Sequence, residues 1–198
     1  MYLGKGNSKL SKSVLIWNLP AIKTCPNCGR CKDICYARKA EKLYPQVLPC
    51  REQNLEDTKN PLFIDNMVVS ICKAQVNAKK YKPTSVRIHE SGDFYNMKYF
   101  FDWIEIAKRL PDLTFWSYTK SQEVMNYIEN HKLPSNFNVV FSILPDNELN
   151  YGDHKTVNKL SKKYGATICP VKRAKKKVVC GENCKACQKK VHVVFDKH

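Results

Sequence analysis

Apolar residues alternate with polar ones along "TSVRIHE" (84–90), which predicts a half-buried strand. "LTFWSYT" (113–119) and "NVVFSIL" (138–144) predict two more, being short, β-rich and bounded by turn residues. Between them the period lengthens. "MKYFFDWIEIAKRL" (97–110) sets Phe100, Phe101, Ile104 and Lys108 at helical spacing and meets Pro111 as a stop. "SQEVMNYIEN" (121–130) predicts a second helix with Ser121 as its N-cap. Downstream, "HKTVNKLSKKYG" (154–165) reads as a helix closed by Gly165, and "ATIC" (166–169) as a fourth strand. Upstream, "FIDNMVVSICKAQVNAKKY" (63–81) predicts a helix that buries Ile64, Met67, Val68, Ile71, Cys72 and Val76.

Strands therefore recur every 25–30 residues, the length of a right-handed βα crossover. The expected fold is α/β: a parallel sheet, either openly wound or closed part-way into an incomplete βα barrel. One domain spans 1–198. A Cys-rich loop (20–60) and a Cys- and Lys-rich C-terminal segment (169–198) pack on it. In such folds chemistry collects where strands end. The residues there are His89, Glu90, Ser91, Asp93, Tyr118, Lys120, Asp146 and Cys169.

Composition narrows the class. With 43% hydrophobic residues the chain can build a core, and it has no run of 18 apolar residues to cross a membrane. The short apolar stretch near the N-terminus has no cleavage signal, so a cytoplasmic location is expected. The formal charge of +16 favours an anionic partner, nucleic acid first. "VKRAKKKVV" (171–179) concentrates five of those basic residues.

Ten cysteines in a reducing compartment point to metal ligands rather than disulfides. Cys25, Cys28, Cys31 and Cys35 have the spacing C-x2-C-x2-C-x3-C, that of an iron–sulfur ligand run, although Tyr36 stands where proline usually follows the last cysteine. Cys169, Cys180, Cys184 and Cys187 make a second set of four, whose wider first gap also suits zinc. Either group could instead only staple loops. Cys72 lies on an apolar helix face and reads as packing, and Cys50 stands apart.

In "RIHESGDFYNMKYFFDWIEIA" (87–107) a strand ends at His89, turns through Ser91-Gly92-Asp93 and enters a helix. Gly92 permits the tight turn. His89 is a candidate proton donor or ligand, and Asp93 a candidate cap, ligand or base. Together "NLPAIKTCP…CKDICYA" (18–37), the stretch from Val86 to Ser121, the C-terminal cysteines and "VVFDKH" (193–198) resemble the phage gene-product-88 family, proteins of mostly unassigned function. That resemblance implies a host-cytosol location. The family pattern falls on Cys25, Cys31 and Cys35, with Cys28 additional. The family is distantly similar to radical S-adenosylmethionine enzymes, which use a partial βα barrel and a three-cysteine cluster. Their cysteine spacing, C-x3-C-x2-C, runs in the reverse order here.

Three functions follow as expectations. The first is an iron–sulfur enzyme with one [4Fe–4S] cluster at Cys25, Cys28, Cys31 and Cys35, or two clusters if the second group also holds one. S-adenosylmethionine would be its co-substrate, and His89, Asp93, Tyr118 and Lys120 would face a small or nucleotide-like substrate. The second is a nucleic-acid-binding protein with structural iron–sulfur or zinc sites, whose Tyr95, Trp116 and Tyr118 stack on bases. The third is a zinc-stapled interaction protein without catalysis.

Overall fold

The computed structural model describes residues 1–142, 162, 167–169, 175–189 and 193–194. Strands β1 (Leu3–Lys5), β2 (Val14–Trp17), β3 (Ser85–Ile88), β4 (Thr114–Thr119) and β5 (Phe137–Phe141) form one sheet in chain order. β1 runs antiparallel to β2, and β2 to β5 are mutually parallel. The fourth parallel strand is thus β2, whose "VLIW" is buried throughout. The strand expected at 166–169 exists as β6 (Thr167–Ile168), but it pairs with β7 (Val193–Val194) in a separate two-stranded sheet. Apart from Lys162, which is helical, the predicted helix at 154–165 lies outside the described residues, as does Asp146.

Parallel neighbours in chain order mean that each crossover steps the same way along the sheet, so right-handed connections put their helices on one face. Packing agrees. Helices α3 (Phe63–Val76), α4 (Met97–Arg109) and α5 (Gln122–Asn130) share one core with Leu15, Trp17, Val86, Ile88, Phe115 and Phe137. Trp17, Phe63, Tyr99 and Trp103 meet there edge to face or tilted. Burying a side chain such as Phe63 contributes about 1.5–3 kcal/mol. Two helices before α3, α1 (Tyr36–Leu43) and α2 (Val47–Asp57), carry the chain away from the first cysteine group.

Alternate residues of the same strands face the other way. Val14, Ile16, Trp116 and Val140 form small clusters there with Cys169, Cys180 and Cys187. This second face, opposite the helices, is covered by the C-terminal cysteine segment. Among the described residues the sheet is open, edged by β1 and β5.

Capping follows the sequence. Asn96 caps α4 by accepting from the Tyr99 amide, and Ser121 caps α5 by accepting from the Val124 amide. Two faces differ from expectation. α4 buries Tyr99, Trp103 and Ile106, while Phe101 is 43% exposed and Lys108 faces solvent. α3 ends at Val76, which is 83% exposed, and Cys72 is only half-buried. The helix-side core is so aromatic that the large rings, not every apolar position, set which side faces inward.

Candidate metal centres

The chain leaves β2 into a clamp. Asn18 Oδ1 accepts from the amides of Glu90 (2.8 Å) and Ser91 (3.0 Å), fastening the end of β2 to the end of β3. Ser91 Oγ donates to the Leu19 carbonyl at 2.8 Å, and the Asp93 amide to the Thr24 carbonyl at 3.2 Å. The cysteine loop therefore starts from a fixed base at the carboxyl ends of the parallel strands. Ile22 and His89 are the non-glycine residues with positive φ among the described residues (67° and 63°), and both flank this base. For a β-branched residue such as Ile22 that conformation is strained, and such strain persists where the surroundings over-determine it.

From there Cys25 turns on its own amide, bonded to the Ile22 carbonyl at 3.0 Å. Cys28 precedes a single 3₁₀ stretch (Gly29–Ile34) and Cys35 precedes α1. α1 is held by Glu41, whose Oε1 accepts from the Ala21 amide and from Arg51 Nη1, each at 2.8 Å.

Charge ties this loop to the next two strands. Burial, helped by the charges of Asp93, Cys28 and Cys35 and opposed by the Ile22 backbone hydrogen bond, pushes the Cys25 thiol up to about 12. The Cys31 thiol is also raised by burial, opposed by the Lys120 ammonium, which hydrogen-bonds it. Thiols held this way are protonated at neutral pH and poor nucleophiles; a bound cation would turn them into thiolates. Asp93 Oδ1 accepts from the Phe94 amide and from Thr119 Oγ1, each at 2.7 Å, and its Oδ2 from the Lys120 amide at 2.8 Å. Lys120 Nζ also donates to Ser142 Oγ at 3.2 Å. Asp93 and Lys120 thus stand with the first cysteine group.

His89 and Tyr118 do not join them. His89 is 3% exposed in the helix-side core, with Nε2 2.9 Å from Tyr99 Oη and its ring edge-on to Phe94. Burial, with Arg87 nearby, lowers its pKa to about 3. The ring is neutral there and braces the turn rather than delivering protons at the mouth. Since an unfolded histidine titrates near 6.5, the unfolded chain binds the extra proton between about 6.5 and about 3. Stability should therefore fall as pH drops through that window, by about 2 kcal/mol at pH 5. Urea midpoints measured against pH should show this limb in the native chain and not in His89→Gln.

Tyr118 lies on the opposite face and donates its hydroxyl to Cys187 Sγ. Arg87 stacks on its ring at 3.8 Å. Burial, together with the charges of Cys187, Cys169 and Cys184, raises the Cys180 thiol to about 11. Burial likewise raises the Cys187 thiol. The second group is therefore four mutually coupled thiols around Tyr118, remote in sequence from the first.

Among the described residues no three His, Cys, Asp or Glu side chains already converge on a common point at ligand distance. The fit to a metal rests on the donor set: two groups of four soft thiols, each within mutual charge range, on backbone turns. The base-stacking role expected of Trp116 and Tyr95 is withdrawn. Trp116 is 2% exposed, and Tyr95 stacks on Tyr99 with its hydroxyl bonded to Thr58. Of the predicted 171–179 basic run, Lys175 to Lys177 are exposed, while Lys172 and Arg173 lie outside the described residues. Sequence reading missed Asn18, Arg87 and the Glu41–Arg51 pair. Arg87 alone carried a signal, as a cation inside an apolar strand.

A family model described as Gene product 88 matches residues 1–195. The Gene 88 proteins of Mycobacterium phage D29 and Mycobacterium phage L5 are each 32% identical to the chain over 133 residues, covering 63% of it. Those matches cover 53% and 54% of the phage proteins, so the chain spans about half the length of these curated relatives. No solved structure matches the chain. No helix among the described residues is long and apolar enough to cross a membrane.

Proposed function

The chain belongs to the Gene product 88 family, and from that premise and the geometry of its strand ends we propose that it is an iron–sulfur protein of enzymatic, radical S-adenosylmethionine type on a partial βα barrel. One observation carries the reading. The loop after the first parallel strand bears Cys25, Cys28, Cys31 and Cys35, and the next two strand ends turn Asp93 and Lys120 toward those thiols. Among the described residues, the one-way strand order and the single helix layer favour a barrel segment over a doubly wound sheet.

Cys25, Cys31 and Cys35 would hold a [4Fe–4S] cluster, with Cys28 as the spare or fourth thiolate. Such a cluster supplies a low-potential electron when bound. The residues around it do the rest. Lys120 places an ammonium beside Cys31, favouring the thiolate and any small anionic group at the mouth. Asp93 fixes the Lys120 backbone and so the direction of that ammonium. His89 and Asn18 keep the floor of the mouth rigid. S-adenosylmethionine is the small-molecule partner this reading takes.

The test is iron, sulfide and zinc content per chain after anaerobic purification. We expect about four irons lost when Cys25, Cys31 or Cys35 becomes alanine, and none lost in Cys28→Ala. Stoichiometric zinc without iron at this group overturns the reading and leaves a zinc-stapled binding protein.

A further inference from the structure

Arg87 is a cation in the middle of a central strand, 8% exposed. Burying a charge costs several kcal/mol unless an opposite charge and hydrogen bonds compensate it, and a guanidinium cannot shed its proton. Among the described residues no carboxylate lies within ion-pair reach of it. Its contacts are the His89 carbonyl, to which Nη2 donates at 3.0 Å, and the face of Tyr118. Neither carries a full negative charge.

On the far side of Tyr118 lie the thiols. Its hydroxyl bonds Cys187, and its ring packs in the clusters that contain Cys169, Cys180 and Cys187. The segment bearing them is fastened across the sheet. The Cys180 amide donates to the Lys9 carbonyl at 2.8 Å, and the Ser11 amide to the Cys180 carbonyl at 2.9 Å. Gly181, at φ +84°, seats where a Cβ would come within 2.6 Å of Val14 Cγ2, and its amide donates to the Cys184 carbonyl at 2.8 Å. Asn138 Nδ2, from β5, donates to the Cys187 carbonyl at 2.8 Å. These anchors keep the four thiols within charge range of one another behind Tyr118, and a bound ion would draw their sulfurs together.

We infer that Cys169, Cys180, Cys184 and Cys187 form a closed tetrathiolate site for a thiophilic divalent cation, and that Arg87 is its built-in counter-cation, acting through Tyr118. On binding, four thiols release their protons to solvent. Four thiolates and one divalent ion leave a net charge of minus two, of which Arg87 offsets one. With every position taken by sulfur the site has no open corner, so it fastens the face opposite the helices and is distinct from the group at the strand ends. This inference does not rest on the iron–sulfur reading of the first group.

Cobalt(II) is the probe, because tetrahedral thiolate coordination gives it intense visible bands. In a full chain with Cys25, Cys28, Cys31 and Cys35 changed to alanine, one cobalt should bind with that spectrum. Arg87→Met should weaken it about 10–100-fold, the range for residues that support metal ligands, and Arg87→Lys should recover most of the loss. Without metal the order of stability should invert: Arg87→Met, which removes a buried cation with no carboxylate partner among the described residues, should melt at or above the temperature of the apo parent chain. A folded chain without the thiolate spectrum overturns the inference, as does an affinity in Arg87→Met within about twofold of the parent. So does failure of Arg87→Met to fold without metal, since removing a buried cation that no described carboxylate pairs should not unfold the chain. Iron content at the first group is read separately in the otherwise native chain, so either proposal can fail alone.

Discussion

Gly92→Ala should lower stability by about 3–5 kcal/mol and the thermal midpoint by roughly 10 °C. Two independent costs add. Gly92 sits at φ +85°, where an L side chain is strained. A Cβ there would also stand 2.6 Å from Thr24 Oγ1 and 2.7 Å from Leu19 Cβ. Neither neighbour can yield cheaply. Thr24 Oγ1 donates to the Pro20 carbonyl at 2.7 Å, and Leu19 is fully buried with its amide bonded to the Ser91 carbonyl. The damage falls on the turn that fastens the cysteine loop to β3, so iron retention should fall with stability. Thermal melts of the two chains check this, and a midpoint shift under about 3 °C would show that the loop can move aside.

The same turn shows what the sequence could and could not disclose. Gly92 and the Ser121 cap were legible because each serves a local backbone need, readable from neighbouring residues. The α/β class and three of the parallel strands were legible from period alone. β2 was not, because a four-residue apolar stretch 71 residues before its parallel partner carries no period of its own. Nor was the division of the titratable row. Strand alternation sends Tyr118 to one face and Ser117 to the other, and a left-handed residue at 89 turns His89 into the helix-side core. One row of strand-end residues in the sequence thus becomes three environments: a neutral brace at His89, a mouth with Asp93 and Lys120, and a thiol pocket behind Tyr118. Sequence distance hides this, because side-chain direction at a strand end depends on the partner strand.

Asp93 is where the mouth and the fold are the same structure, and Asp93→Ala should cost about 3–5 kcal/mol. Its carboxylate accepts from the Phe94 amide, the Thr119 hydroxyl and the Lys120 amide, joining the ends of β3 and β4. Alanine leaves all three donors unpaired in a site from which water is excluded, at about 1–3 kcal/mol each before relaxation. Asp93→Asn keeps one acceptor but presents an NH₂ to the Lys120 amide, so its cost should be about half as large. The pH profile gives a second readout. Burial raises the carboxyl above its ordinary 3.8 despite those hydrogen bonds, so the folded chain holds this proton more tightly than the unfolded one. Its contribution is complete below 3.8 and lost as pH rises through the raised value, opposite in sign to the His89 limb. Asp93→Ala removes that opposing part, so its stability should climb more steeply than the native chain's as pH rises above 3.8, while His89→Gln does the reverse. Equal slopes in all three chains, or an Asp93→Ala cost below about 1 kcal/mol, would mean the Lys120 backbone finds another acceptor and Asp93 does not govern the mouth.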